Sequence, residues 1–191
     1  LLGQNVDSYL WYGGGLKKDF KKANNIQKRT AINFAKLLDL VAKCYPDFRI
    51  RFTTSNPQDM DIEVLTTMQN HSNICNHIHL PVQSGSNKIL KAMNRQHSRE
   101  EYLNLISNIK KILPNCGISQ DIITGFPNET EKDHLNTLSL MELVKYDFGF
   151  MFKYSERPGT LAARKMKDNI TEKVKQRRLS EICLLYTSDA A

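Results

Sequence analysis

Apolar residues recur along this chain in two alternating rhythms, short runs with period two and longer stretches with the three-to-four spacing of an amphipathic helix. Residues 30–43 put Phe34, Leu37, Leu38 and Val41 on one helical face. "FRIRFTT" from Phe48 then alternates as a strand does, and a helix from about Met60 is predicted to bury Ile62, Leu65 and Met68. The strand "HIHLPV" (77–82) and a helix over 88–93 follow. Ser98 and Glu101 make a capping box for a helix lined by Tyr102, Leu105, Ile106, Ile109 and Leu113. "GISQDIIT" reads as a strand, Thr130 caps a helix through Leu135, Leu138, Met141 and Val144, and "DFGFMFKY" (147–154) is strand-like again. Thr171 caps a last helix.

Strands alternating with helices are the signature of parallel βα units and predict an α/β fold. Five strand-to-loop junctions result: LLGQNVDSY, RFTTSNP, HLPVQSGS, DIITGFPNET and FKYSERPGT. Parallel strands gather such loops at one end of the sheet, where α/β folds build their sites. Leu1 and Leu2 read as the end of a buried strand, so the chain is expected to begin inside an element with an upstream part missing.

Composition narrows the classes. With 191 residues, 40% of them hydrophobic, the chain is long enough for one sizeable core. No run approaches the roughly 18 apolar residues of a membrane span, and a cytosolic setting is expected. The four cysteines, Cys44, Cys75, Cys116 and Cys183, form no CxxC pair and read as reduced, mostly buried thiols. A net charge of +7 suits a polyanionic partner, although solvated helix faces explain the same charge.

Several positions carry candidate chemistry. In QSGS, Gly85 would let the backbone approach an anionic or hydroxyl-rich ligand at a helix start, whereas Ser84 or Ser86 could simply cap that helix. Gly125-Phe126-Pro127 forms a rigid bend whose phenylalanine either covers a flat ring or fills the core. His77 and His79 share a strand face, as two metal ligands would, but no third ligand has matching spacing. Asp121 could act as acid or base, and Glu129 and Glu131 read as helix N-terminal charges. Arg51 and Arg157 stand beside the loop-bearing ends, where a guanidinium could grip a phosphate or carboxylate.

Taken together and in order, LLGQNVDSY, RIRFTTSNPQDM, HIHLPVQSGSNKILKAMNRQHSREEY, DIITGFPNETEKDHLNTL and YSERPGT resemble the radical S-adenosylmethionine (SAM) methylthiotransferases, most closely their bacterial tRNA branch. The resemblance runs from Leu1 to about Ile182. It implies a partial (β/α) barrel of the TIM-like radical SAM type, lacking the first strand whose CxxxCxxC loop binds a [4Fe-4S] cluster. It further implies SAM as cofactor, two such clusters in an intact parent, and a methylthio group placed on C2 of N6-isopentenyladenosine at position 37 in the anticodon stem-loop of tRNA. An electron donor such as flavodoxin or ferredoxin would be a partner.

By the same resemblance Gly3, Gln4 and Asn5 would approach the methionyl group of SAM. Gln83, Ser84 and Gly85 would lie near its ribose and carboxylate, and Gly125 and Phe126 near its adenine. Arg51, Ser55, Asn56 and Arg157 would face the substrate. Neither cluster motif nor room for the family's N-terminal domain or C-terminal TRAM domain is present, so residues 1–182 are expected to be an inactive central fragment of the core. "CLLYTSDAA", residues 183–191, leaves the family pattern and is expected to be a non-native or disordered tail. The alternatives are a sister enzyme acting on a ribosomal-protein aspartate, a non-catalytic nucleic-acid-binding module, and a cluster-free barrel enzyme.

Overall fold

A computed structural model describes residues 1–3, 5–53 and 55–188. Gln4 therefore lies outside the described residues. The chain forms two compact units: Leu1–His79 with Ser107–Cys116, and Leu80–Ile106 with the chain from Gly117 onward.

The first unit contains β1 (Leu10–Trp11), α1 (Asn25–Thr30), β2 (Ile32–Asn33), α2 (Phe34–Cys44), α3 (Ile62–Asn70) and β3 (His77–His79). Its parallel strands are reduced to bridges, Leu2 with Thr53 and Ile50 with Ile74. The helix predicted over 30–43 is interrupted: Asn33 caps α2 by accepting from the Lys36 amide, and Ile32–Asn33 pair antiparallel with Leu10–Trp11. The core gathers Leu38, Phe52, Val64, Leu65 and Met68, all at most 5% exposed. Phe34 meets Phe52 edge-on at 5.2 Å, a favoured aromatic geometry. Ile62, predicted to be buried, opens α3 and is exposed, while Val64 takes the inward position.

The second unit contains α4 (Asn87–Ala92), β4 (Gly117–Thr124), α6 (Glu131–Val144), β5 (Phe148–Lys153), α7 (Leu161–Lys165) and α8 (Glu172–Ser188). The helix α5 (Arg99–Ile112) begins in this unit and ends in the other. β4 and β5 are parallel, with Gln120 opposite Gly149 and Asp121 opposite Phe150. Residues 80–83 run along the other edge of β4, where Leu80 and Gln83 donate to the carbonyls of Ser119 and Asp121. The predicted capping box at Ser98 and the predicted cap at Thr130 both form, the second also as a capping box. Ser98 and Glu101 exchange bonds of 2.7 and 3.1 Å, and Thr130 does the same with Asp133. Inside α6 the buried apolar positions are Leu140, Met141 and Val144, whereas Leu135 is exposed.

Helix α8 continues past Ile182 to Ser188. Cys183 Sγ lies 3.8 Å from Met151 Sδ, and the Tyr186 hydroxyl donates to the Asp147 carbonyl at 3.0 Å. These contacts tie the last turns of the helix to β5 and the turn before it.

Candidate functional site

The candidate residues fall into two groups, one within each unit. In the first unit Asn5 leads into a single 3-10 turn, Val6–Ser8, in which Asp7 is buried. Asp7 is 8% exposed, and neither carboxylate oxygen has a hydrogen-bond donor among the described residues. Burial pushes its pKa up to about 7, the Ser55 hydroxyl offsets part of this, and the nearby charge of Asp59 adds to it. Ser55 is 2% exposed, and its hydroxyl lies near Asp7 without closing a full hydrogen bond to it or to any other described residue.

Asp59 is held by the Asn5 amide at 2.6 Å and by Lys17 at 3.5 Å. A cavity of about 290 Å³ is lined by the carboxylates of Asp7, Asp59 and Asp61, by Lys17, Asn33 and Gln58, and by apolar residues that include Phe34, Ala35 and Val64. Asn56 turns the chain before α3, its carbonyl accepting from Asp59 and Met60. Gly3 and Arg51 are exposed.

In the second unit the QSGS loop is turned toward α6. The Gly85 amide donates to Thr137 Oγ1 at 3.0 Å, and a Cβ at position 85 would collide with the backbone of Asn136 and Thr137. Its close approach is thus to a helix. Ser84 is fully buried and accepts from the Ser86 amide, while the Ser86 hydroxyl donates to Asp133 at 2.7 Å. Gln83 is buried with a φ of 71°, a costly conformation for a residue with a side chain.

The GFPNE loop is equally built. Gly125 has a φ of 73°, and its amide donates to Glu129 Oε2 at 2.8 Å. Glu129 is not a solvated helix-terminal charge but a buried partner of Arg178. Phe126 fills the core against Ile89 and meets Tyr154 edge-on at 5.0 Å, the second of the two roles open to it. Arg157 is exposed, and its carbonyl accepts from Thr160 at the start of α7.

No cysteine is buried: Cys44 and Cys183 are exposed and Cys75 and Cys116 are half-buried, which corrects the expectation of buried thiols. Among the described residues no three His, Cys, Asp or Glu side chains group to hold a metal. His77 and His79 thus lack the further ligands of a metal site, and the four cysteines do not fit a cluster.

Asp7, Asp59 and Arg178 were missed by the sequence reading. Asp7 lies inside the quoted opening stretch, but a carboxylate in a polar turn gives no sign that it will be buried. No helix among the described residues is long and apolar enough to cross a membrane.

The profile of the Radical SAM superfamily matches residues 27–141. The tRNA-2-methylthio-N(6)-dimethylallyladenosine synthase of Christiangramia forsetii is 71% identical over 182 residues, 95% of this chain and 38% of that protein. The protein of the same name from Flavobacterium psychrophilum is 66% identical over 190 residues, 100% and 40% of the two chains. That of Bacteroides fragilis is 51% identical over 185 residues, 97% and 38%. The chain thus spans about two fifths of the length of these curated relatives.

Among solved structures, coproporphyrinogen III oxidase (HemN) of Escherichia coli, a radical SAM enzyme, superposes with a TM-score of 0.65 at 21% identity, over 88% of this chain and 38% of that one. Methylornithine synthase (PylB) gives 0.55 at 16% identity, over 80% and 43%. At such identities the likeness is one of fold, and it is an α/β fold of helices and parallel strands.

Proposed function

We propose that this chain, which belongs to the Radical SAM superfamily, is the central part of a tRNA methylthiotransferase that adds a methylthio group to C2 of N6-dimethylallyladenosine. The observation that carries this reading is the 71% identity to a synthase of that name, sustained over 182 residues. The C2 hydrogen is not acidic enough for a side-chain base. SAM, when bound at a [4Fe-4S] cluster, would supply the radical chemistry that such a C–H bond requires. The cysteines of this chain do not fit a cluster, and its ligands would come from the remaining length of the enzyme.

For SAM itself the residues present fit better. Asn5 Oδ1 is a buried acceptor without a partner among the described residues and suits the methionyl ammonium, with Gly3 and Gln4 preceding it in sequence as further candidates. Gln83 holds a strained backbone at a strand end, with Ser84 and Gly85 fixing the loop beneath it. Gly125 and Phe126 keep the next loop rigid on the adenine side. Ser55, Asn56, Arg51 and Arg157 serve the substrate side. The work of this segment is to bind and orient, holding cofactor and nucleoside close together and apart from water. The enzyme would act in the cytoplasm, taking electrons from a small carrier of the flavodoxin or ferredoxin class.

The decisive experiment is a chimera. Residues 1–182 replace the corresponding segment of a full-length relative, and tRNA from a methylthiotransferase-deficient strain expressing it is analysed by mass spectrometry. Restoration of the 2-methylthio nucleoside is expected. A soluble chimera that binds SAM yet leaves dimethylallyladenosine unmodified overturns the reading.

A further inference from the structure

Positive charge is concentrated in one stretch of this chain. Residues 10–33 hold six cations, Lys17, Lys18, Lys21, Lys22, Lys28 and Arg29, against one carboxylate, Asp19, and so carry +5 of the net +7. All six are exposed. Among the described residues Lys17 meets Asp59 at 3.5 Å, and no carboxylate pairs with the other five. On α8 the cations are matched: Lys175 meets Asp168 and Glu172, Arg177 meets Glu131 and Glu181, and Arg178 meets Glu129. Those charges serve the fold. The five on residues 18–29 repel one another, and an anionic partner would reverse that cost.

The stretch is held in shape. β1 and β2 pair at its root, Leu10 with Asn33 and Trp11 with Ile32. Tyr12 is buried, its hydroxyl donates to the Leu16 carbonyl at 2.9 Å, and its ring lies 5.2 Å from that of Phe20. A capping box between Asn24 and Gln27 opens α1. Lys17 to Asp59, and Asn33 to Glu63 at 2.8 Å, tie both ends to the body of the first unit. An arm ordered before it binds loses less entropy when it does. At the root Trp11 is 49% exposed and presents a flat ring.

Unpaired cations gain affinity for a phosphate backbone by releasing its counterions, and an exposed indole offers a stacking face to an unpaired base. A lipid surface also attracts cations, but it rewards a continuous apolar face. Here Lys17–Lys22 and Asn25–Thr30 are six-residue turns with one large apolar residue each, and the first of these, Phe20, packs on Tyr12. Resting on the methylthiotransferase reading, we infer that residues 12–30 form an arm that grips the sugar–phosphate backbone of the substrate RNA, with Trp11 stacking on an unpaired base at its root. Phosphate contacts carry no base information, so the arm sets how tightly RNA is held and leaves the choice of nucleoside to the site beside it.

The test uses the full-length chimera and a synthetic anticodon stem-loop RNA, with affinity read by fluorescence anisotropy across a salt series. Lys18→Gln, Lys21→Gln and Lys22→Gln combined should make the slope of log affinity against log salt shallower by about 2 to 3, and weaken binding at least about tenfold at low salt. The loss should be the same for dimethylallylated and unmodified RNA. Arginine at the same three positions should restore it. A control with Lys111→Gln, Lys132→Gln and Lys173→Gln removes equal charge elsewhere and should keep the parent slope. Trp11→Leu should weaken stem-loop binding at least about fivefold and leave a loop-free duplex bound as before. Unchanged SAM binding shows that each variant is folded.

A parent-like slope in the glutamine variant, or an equal loss in the control, overturns the inference even where the chimera methylthiolates RNA. So does a glutamine variant that loses binding to phosphatidylserine vesicles while its RNA affinity stays intact. Failure of the parent chimera to methylthiolate dimethylallyl RNA, with the arm-dependent salt slope present, overturns the functional reading and not the hold of the arm on RNA.

Discussion

Glu129 and Arg178 meet at 2.7 Å with side chains 1% and 5% exposed, joining the GFPNE loop to α8. The carboxylate also accepts the Gly125 amide, and the guanidinium reaches the Glu129 carbonyl and Glu131. Burial pushes the pKa of Glu129 up, while the Gly125 amide and Arg178 pull against it. The pair therefore holds a glycine turn against a helix that enters the chain far downstream.

Removing one partner leaves the other charge buried and alone. Arg178→Met should destabilise the protein by about 3–5 kcal/mol, whereas Arg178→Met combined with Glu129→Gln should recover part of the loss. Chemical denaturation of the parent and the two variants checks this, and a double variant as unstable as the single one contradicts the pairing argument.

Asp7 makes stability depend on pH in the opposite sense to an ordinary ion-paired carboxylate. Its folded pKa, raised to about 7, stands above the unfolded value near 3.8, so between those values the folded state binds the proton more tightly. Stability contributed at acid pH is then lost as pH rises from about 4 to about 7, by up to about 4 kcal/mol. Asp7→Asn should flatten this slope in thermal melts across that range. An unchanged slope in the variant assigns the dependence to another group.

What the sequence made legible was the part determined locally. A capping box needs only residues three apart, so Ser98/Glu101 and the Thr130 cap could be read directly. Periodicity likewise located β4 and β5, because an alternating run has one pleated solution. Glu129 and Arg178 are 49 positions apart, and nothing near either residue marks the other. Asp7 and Ser55 meet only because Leu2 bridges Thr53, which brings the two turns side by side. The QSGS loop was legible as a loop but not in its direction. Its glycine could equally admit a ligand or a helix, and the Asn136–Thr137 backbone occupies that side.

Gly85 gives a direct test of that packing. An added methyl would strike the Asn136 carbonyl and Thr137 Cα, both main-chain atoms of α6 that no rotamer change can move aside. Gly85→Ala should lower stability by about 1–3 kcal/mol through overpacking. Urea denaturation measures it, and a neutral result means that α6 shifts more readily than its Thr130 cap suggests.

A second buried relay predicts an asymmetry. The Tyr146 hydroxyl donates to the Tyr102 hydroxyl at 3.1 Å, which in turn donates to the Leu80 carbonyl at 3.0 Å. Burial raises both phenol pKa values, so each stays a neutral donor at physiological pH. Tyr102→Phe removes the middle of the chain and strands both the Leu80 carbonyl and the Tyr146 hydroxyl, a loss of about 1–3 kcal/mol for each buried group left unpaired. Tyr146→Phe takes away only the terminal donor, and Tyr102 still reaches Leu80. The first variant should therefore be clearly less stable than the second. Equal losses measured by calorimetry would mean that ring packing, common to both, outweighs the hydrogen-bond order.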